Sequence, residues 1–281
     1  FGVANDRQQR RVYLKNVRGN YVPGPAIGPV SQNTRNLFVS DMDGEKRPDI
    51  LVANRRAANF IYYNSAKGDI IEGNVLGSGA DSTICIAIAD LYGDGKPDVV
   101  LANRDGQPNA IYLNAGAKNF GKAIVYGTGS DNTRSVALGD MNGDGHLDII
   151  AANVGQSNRV FFNDGQGGFA KSTAFGGEQN PSYSVAVADM VRVGDMDIVI
   201  GNAGQQNVIF FNEAKGTKYR SLSFGAATSA TYCVALGDLN GDKYPDIVIG
   251  NSGTHNFVYL NQGKKGKVGN LSPPQLLALK Q

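Results

Sequence analysis

The chain has no tryptophan, two cysteines and two histidines in 281 residues. Cys85 and Cys233 alone cannot build a disulfide framework, so cysteine usage sets no redox compartment. Lys and Arg total 27 against 25 Asp and Glu, a net charge of +2. That balance gives no global field of the kind that gathers nucleic acid or coats acidic membranes, and no nucleic-acid partner is expected. No run of about 18 apolar residues occurs, so no membrane span is expected. A nucleophile elbow, a P-loop, a zinc HExxH and a dinucleotide fingerprint are missing too. No leader-like segment is read at Phe1, and the expectation is a mature or trimmed chain that starts inside a repeated pattern. Glycine, at 37 residues, is abundant beside a hydrophobic content of 41%. This combination favours a turn-rich, all-β chain with a real core.

The stretch VALGDMNGDGHLDIIAANVGQSNRVFFNDGQGGF has relatives along the whole chain. Its loop aspartate recurs as Asp41, Asp90, Asp140, Asp189 and Asp238, in steps of 49, 50, 49 and 49. One asparagine follows the next apolar run: Asn5, Asn54, Asn103, Asn153, Asn202 and Asn251. Another follows an aromatic run: Asn16, Asn64, Asn114, Asn163, Asn212 and Asn261. Each repeat reads as four short strands, bounded by Gly, Asn and Asp. The second strand, such as DIIAAN, is almost continuously apolar, which implies a sheet covered on both faces. A four-stranded unit of this length that cannot bury both faces alone is a propeller blade.

The expected architecture is therefore an all-β, six-bladed β-propeller of four-stranded antiparallel blades, one domain over residues 1–281. Residues 1–28 supply a partial blade. The repeats 29–77, 78–127, 128–176, 177–225 and 226–270 follow, and the tail 271–281 closes the ring against the N-terminal segment. Closure removes exposed sheet edges. A helical cap formed by PPQLLALKQ is the alternative for the tail.

The loop DMNGDGHLD offers oxygens at alternate positions, and its glycines permit the left-handed turns a chain needs to coil round an ion. Position 12, where an EF-hand carries glutamate, is Val52, Leu101, Ala151, Ile200 or Ile249. These are strand–loop–strand calcium sites instead. Asp41, Asp43, Glu45 and Asp49 make a full set. Asp140, Asn142, Asp144 and Asp148 make another, and Asp238, Asn240, Asp242 and Asp246 a third. In the loop of Asp90, Asp94 and Asp98, Tyr92 replaces an oxygen ligand of the usual kind. The loop from Asp189 to Asp197 puts Val191 and Val193 at ligand positions and is expected to bind calcium poorly or not at all, with Arg192 as a substitute charge.

With these loops and the NDGQGGF turn from Asn163 to Phe169, the chain resembles the FG-GAP/VCBS repeat family, as in integrin α subunits, secreted lectins and polysaccharide-degrading enzymes. The resemblance implies a calcium-bound propeller, an extracellular setting, and a glycan or an extracellular protein as partner. It does not fix the activity, because the family hosts several.

Calcium recurs as a fold staple, so a ligand is expected at the other rim. There, the residue six before each loop aspartate varies: Arg35, Ile84, Arg134, Tyr183 and Tyr232. The residue before it is always a hydroxyl, Thr34, Thr83, Thr133, Ser182 or Thr231, which fits a structural turn bond. The variable set points to one central site, or else merely plugs the channel mouth. The nearby connections hold Arg7, Arg10, Arg11, Arg55, Arg56 and Arg104 in the first three repeats and no arginine in the last three. Arginine forks suit carboxylates and sulfates, so an anionic glycan or acidic partner is expected, with a solvated rim as the alternative. The ligand set is Arg35, Arg55, Arg104, Arg134, Tyr183, Tyr232 and His255. An alternative function is a lyase on uronate-containing glycans, with Tyr183, Tyr232, His255 and Arg134 as catalytic candidates. Cys85 and Cys233 are expected to be small, buried, unpaired residues of inner strands.

Overall fold

A computed structural model describes residues 2–3, 10–29, 32–263, 271–272 and 275–276. Asn5 and Arg7 lie outside the described residues. Every regular element among the described residues is a strand. The chain divides into two compact units, residues 1–132 and 133–281.

The first unit holds three antiparallel sheets. β1 (Gly2–Val3), β2 (Arg10–Lys15) and β3 (Tyr21–Ile27) form one. β4 (Thr34–Ser40), β5 (Asp49–Asn54), β6 (Asn59–Asn64) and β7 (Ile70–Leu76) form the second. β8 (Thr83–Ala89), β9 (Asp98–Asn103), β10 (Gln107–Tyr112) and β11 (Ile124–Asp131) form the third.

The second unit holds two sheets. One has six strands: β12 (Thr133–Gly139), β13 (Asp148–Phe162), β14 (Lys171–Ala188), β15 (Asp197–Asn202), β16 (Asn207–Asn212) and β17 (Tyr219–Phe224). The other has β18 (Ala230–Gly237), β19 (Asp246–Ser252), β20 (Phe257–Tyr259) and β21 (Gln275–Leu276).

This pairing corrects the expectation of six four-stranded blades closed by the two ends. Four sheets carry four strands or more, so there are four blades, not six, beside the three-stranded β1–β3 sheet. The physical reason is strand continuity. β14 runs 18 residues through Gly176 and Gly177, pairing with β13 over its first part and with β15 over its second. The repeats 128–176 and 177–225 thus share one hydrogen-bonded sheet. Among the described residues of the two ends, β21 pairs with β20 and β1 with β2. The rest of the tail, 273–274 and 277–281, lies outside the described residues.

β5, β9 and β15 are buried at every residue, because both faces of each are covered. In β5, Ile50 and Val52 pack with Ile27 and Tyr62, while Leu51 and Ala53 face Ile61, Ile86 and Leu101. In β15, Ile198 and Ile200 join Phe162 and Phe175, and Val199 joins Ile209 and Ile247. The core of each unit therefore lies between successive layers of strands, as side chains alternate across the pleat.

A buried polar ladder ties the layers together. Each recurrent hydroxyl donates to the first asparagine of its repeat, for example Thr34 Oγ1 to Asn54 Oδ1 at 2.8 Å, Thr83 to Asn103 at 2.7 Å and Ser182 to Asn202 at 3.0 Å. Asn59 Nδ2 and Asn158 Nδ2 reach across to the next hydroxyl, Thr83 at 2.8 Å and Ser182 at 3.0 Å. In the first sheet Arg10 stands at this position instead. It is 1% exposed, and its Nη1 donates to Thr34 Oγ1 at 2.8 Å and Asn54 Oδ1 at 3.1 Å. One of the six rim arginines is therefore a buried strut.

Candidate functional site

The register defines two ends for each sheet. Thr34 lies opposite Asn54 at one end of β4–β5, and Ser40 opposite Asp49 at the other. The acidic loops leave the second end, and the variable residues and Asn-bounded connections sit at the first.

At the loop end, the ninth residue has a job that spacing alone did not reveal. Asp49 accepts the backbone N–H of Met42 at 2.8 Å and of Asn64 at 2.9 Å. Asp98 does the same for Leu91 and Asn114, Asp148 for Met141 and Asn163, Asp197 for Met190 and Asn212, and Asp246 for Leu239 and Asn261. The second asparagine then clasps an earlier loop: Asn114 Nδ2 donates to Met42 O at 2.9 Å, Asn212 to Met141 O and Asn261 to Met190 O at 2.8 Å. This latch explains why Asp197 persists in a loop with valine at two ligand positions, Val191 and Val193.

Calcium fits the first loop on its geometry. Asp41, Asp43 and Asp49 each offer an oxygen within 4.8 Å of the others, the one such cluster among the described residues. Burial pushes the carboxyl of Asp49 up, and Asp43 and Asp41 push it further. Asp148 is raised to about 6 by burial, with Asp144 and Asp140 adding to it. Crowded carboxylates of this kind are relieved by a cation. The loops are already coiled: Asp140 Oδ1 accepts Gly143 N–H at 2.7 Å and Asp238 Oδ1 accepts Gly241 N–H at 2.7 Å. Asn142 and Asn240 turn their amides to Asp144 and Asp242 at 2.8 and 2.9 Å. Two ammonium groups approach the loops. Lys118 Nζ lies 3.3 Å from Asp43 and over the Tyr63 ring at 4.3 Å, and Lys96 Nζ lies 2.6 Å from Asp94. Glu45 pairs with Arg47. Arg192 stands over the Tyr244 ring at 5.3 Å.

At the other end, a β-bulge breaks the register of every first strand, between Thr34 and Asn36, Thr83 and Cys85, Thr133 and Ser135, Ser182 and Ser184, and Thr231 and Cys233. The extra residue in each is Arg35, Ile84, Arg134, Tyr183 or Tyr232. A bulge re-aims the side chain it carries, and this is why these positions are released from the packing that fixes their neighbours. In the second unit the structure brings three of them into a row. The Arg134 guanidinium sits 4.8 Å above the Tyr183 ring, and Tyr183 meets Tyr232 edge-on at 4.6 Å. Tyr232 is 51% exposed. In the first unit Arg35 is exposed on β4. His255 is exposed in the connection 251–256, where its carbonyl accepts Asn251 Nδ2 at 2.7 Å.

Arg55 and Arg104 do not stand in solvent as separate charges. Both converge on Asp105, a residue that sequence reasoning passed over. Arg55 Nη2 lies 3.0 Å and Nε 3.3 Å from Asp105 Oδ2, and Arg104 Nε lies 2.8 Å from Oδ1. Ser82 Oγ adds a bond at 2.9 Å. Partial burial raises the Asp105 carboxyl, but these bonds and charges outweigh it and hold it down at about 2. The two cysteines are also unlike each other: Cys85 is half-buried, whereas Cys233 is exposed, against the expectation that both are buried.

Among the described residues no helix is long and apolar enough to cross a membrane. The FG-GAP-like repeat matches residues 41–101, 90–151, 140–192 and 194–249, and the FG-GAP repeat matches 232–268. No curated protein sequence matches the chain. Among solved structures, it is similar to an Agrocybe aegerita lectin described as recognising non-reducing terminal N-acetylglucosamine, with 19% identity and a TM-score of 0.65, over 99% of this chain and 79% of that one. It is also similar to BBS1N, solved in complex with ARL6DN, at 14% identity and a TM-score of 0.59, over 97% and 78%. The V. cholerae biofilm matrix protein Bap1 matches at 21% identity and a TM-score of 0.52, over 83% of this chain and 36% of Bap1. At such identities the likeness is one of fold. Matched by these repeats over most of its length, the chain belongs to the FG-GAP repeat family, with an all-β propeller fold.

Proposed function

We propose that this protein is a calcium-held, extracellular glycan-recognition propeller whose sugar docks on Arg134, Tyr183 and Tyr232. The observation that carries the reading is the row of bulge residues. Five first strands share one bulge whose extra residue ranges from Arg to Ile to Tyr, and three of these residues stack in a row. Aromatic side chains with one exposed face offer area at little entropy cost, and the cation fixes orientation. The fold likeness to a lectin that recognises N-acetylglucosamine supports the same class of ligand.

Calcium would be held by Asp41, Asp43, Glu45 and Asp49, by Asp140, Asn142, Asp144 and Asp148, and by Asp238, Asn240, Asp242 and Asp246. Asp90, Asp94 and Asp98 form a poorer site. The ion would supply positive charge to loops that otherwise crowd carboxylates together, at the end of the sheets away from the sugar.

Calorimetric titration with N-acetylglucosamine oligomers tests the reading. Tyr183→Ala and Tyr232→Ala are each expected to weaken binding about tenfold, as loss of an aromatic anchor does. Undiminished affinity in both variants removes the proposed site, and binding of a protein in place of any glycan would reassign the ligand.

A further inference from the structure

Two neighbouring connections of the first unit, 54–59 and 103–109, bring together three arginines and one aspartate. The brace is asymmetric. Asp105 takes Nε and Nη2 of Arg55 and Nε of Arg104. Among the described residues, Nη1 of Arg55 and both Nη groups of Arg104 make no hydrogen bond. Arg56 adds a third fork, 3.9 Å from Asp105 and with its side chain 73% exposed. One carboxylate against three guanidiniums leaves a local excess of two positive charges. Asp81, whose carbonyl accepts Arg56 N–H, turns its carboxylate to Ser78 N–H at 2.6 Å.

The backbone holds this group in place. Arg55 N–H donates to Asn33 O at 2.8 Å, Arg56 N–H to Asp81 O at 2.7 Å and Arg104 N–H to Ser82 O at 3.1 Å. A second feature sets these connections apart. The second residue after the first asparagine is left-handed in every described repeat. It is glycine in the second unit, at Gly155, Gly204 and Gly253, with φ of 70, 76 and 73°. In the first unit it is Arg56 at 58° and Asp105 at 65°. A side chain there is strained, and glycine is the unstrained solution the same fold uses three times. Strain of this kind is retained where the side chain serves something other than stability.

We propose that Arg55, Arg56 and Arg104, braced by Asp105, form an anion clamp for the carboxylate or sulfate groups of an acidic glycan. The Arg55 and Arg104 side chains are each 22% exposed, and forks already ordered by Asp105 bind planar or tetrahedral oxyanions without first losing rotamer freedom. This rests on reading the chain as a glycan binder and names the class of glycan.

The test uses the whole chain with three ligands: polygalacturonate, a sulfated polysaccharide, and neutral N-acetylglucosamine oligomers. At least one acidic polymer is expected to bind, more weakly as salt rises. Arg104→Ala and Arg56→Gly are each expected to weaken that binding about tenfold, the cost of one charge-assisted contact, and to leave the neutral oligomer unaffected. Arg56→Gly is also expected to melt no lower than wild type, so lost binding cannot be put down to misfolding. Neutral oligomer binding without acidic polymer binding overturns the clamp and leaves the glycan reading standing; failure of all three overturns both. Acidic binding unchanged in both variants overturns the clamp, and equal arginine-dependent binding of polyglutamate overturns the choice of a glycan.

Discussion

Asp197 sits in a loop that has lost two of its ligand positions, yet it is 1% exposed and accepts two backbone N–H groups. Its retention follows from what its removal would leave behind. Asp197→Ala is expected to cost about 1–3 kcal/mol for each buried N–H left without an acceptor, read from urea melts. An unchanged midpoint would show that the latch is dispensable. The same carboxyl makes a pH prediction. Burial, with Asp189 and Asp195 adding to it, pushes it from 3.8 up to about 6. The folded state therefore holds the proton more tightly than the unfolded chain. Stability from this group is full below about pH 4 and is lost as pH rises through about 6. In chelator, wild-type stability should fall over that window, and the Asp197→Ala variant should fall less. Its periodic spacing made the ninth position legible in the sequence as a candidate ligand. Its second duty was not legible, since the partner N–H groups belong to unremarkable residues such as Met190.

The loop and the bulge are the two elements that repeat, and they fared differently as sequence signals. The loop announces itself through side chains, so its carboxylates could be named directly. The bulge is a backbone event without a composition signal of its own, and it was visible only as a position where repeats disagree. Asp105 was missed because it meets Arg55 only across two connections separated by 50 residues. Strand continuity through Gly176 and Gly177 was likewise hidden, as glycines there read as a boundary between blades. At this scale Lys118 carries a prediction. Its ammonium lies 3.3 Å from Asp43, whose side chain is 4% exposed, and so occupies ground a calcium ion needs. Lys118→Met keeps the length of the side chain and removes its charge. Calcium is expected to bind the first loop more tightly in this variant, seen as a steeper early phase in a calorimetric titration. Equal or weaker binding would mean that Lys118 supports the site rather than competing for it.

For the whole molecule, the net charge of +2 conceals an uneven distribution. Carboxylates gather at the loop ends of the sheets, and arginines at the connections of the first unit. The acidic ends are the costly ones, because burial raises Asp49, Asp98, Asp148 and Asp197 together. Hydrogen bonds from the backbone N–H of Met42, Leu91, Met141 and Met190 offset part of that cost in these four repeats and tie the loops to the strands. A cation is then expected to add stability to an existing fold rather than to create it. An ion that binds only the folded chain contributes about 2.7 kcal/mol per site at a hundredfold excess over its dissociation constant. With three full loops and a weaker fourth, calcium should raise the melting temperature in a concentration-dependent way, and chelation should lower it without abolishing the β-sheet signal in circular dichroism. Magnesium, which demands tighter octahedral geometry, should substitute poorly. Loss of all β structure on chelation would mean that the latch of Asp and Asn cannot sustain the sheets. A melting temperature indifferent to calcium would leave those latches as the sole reason the aspartates recur.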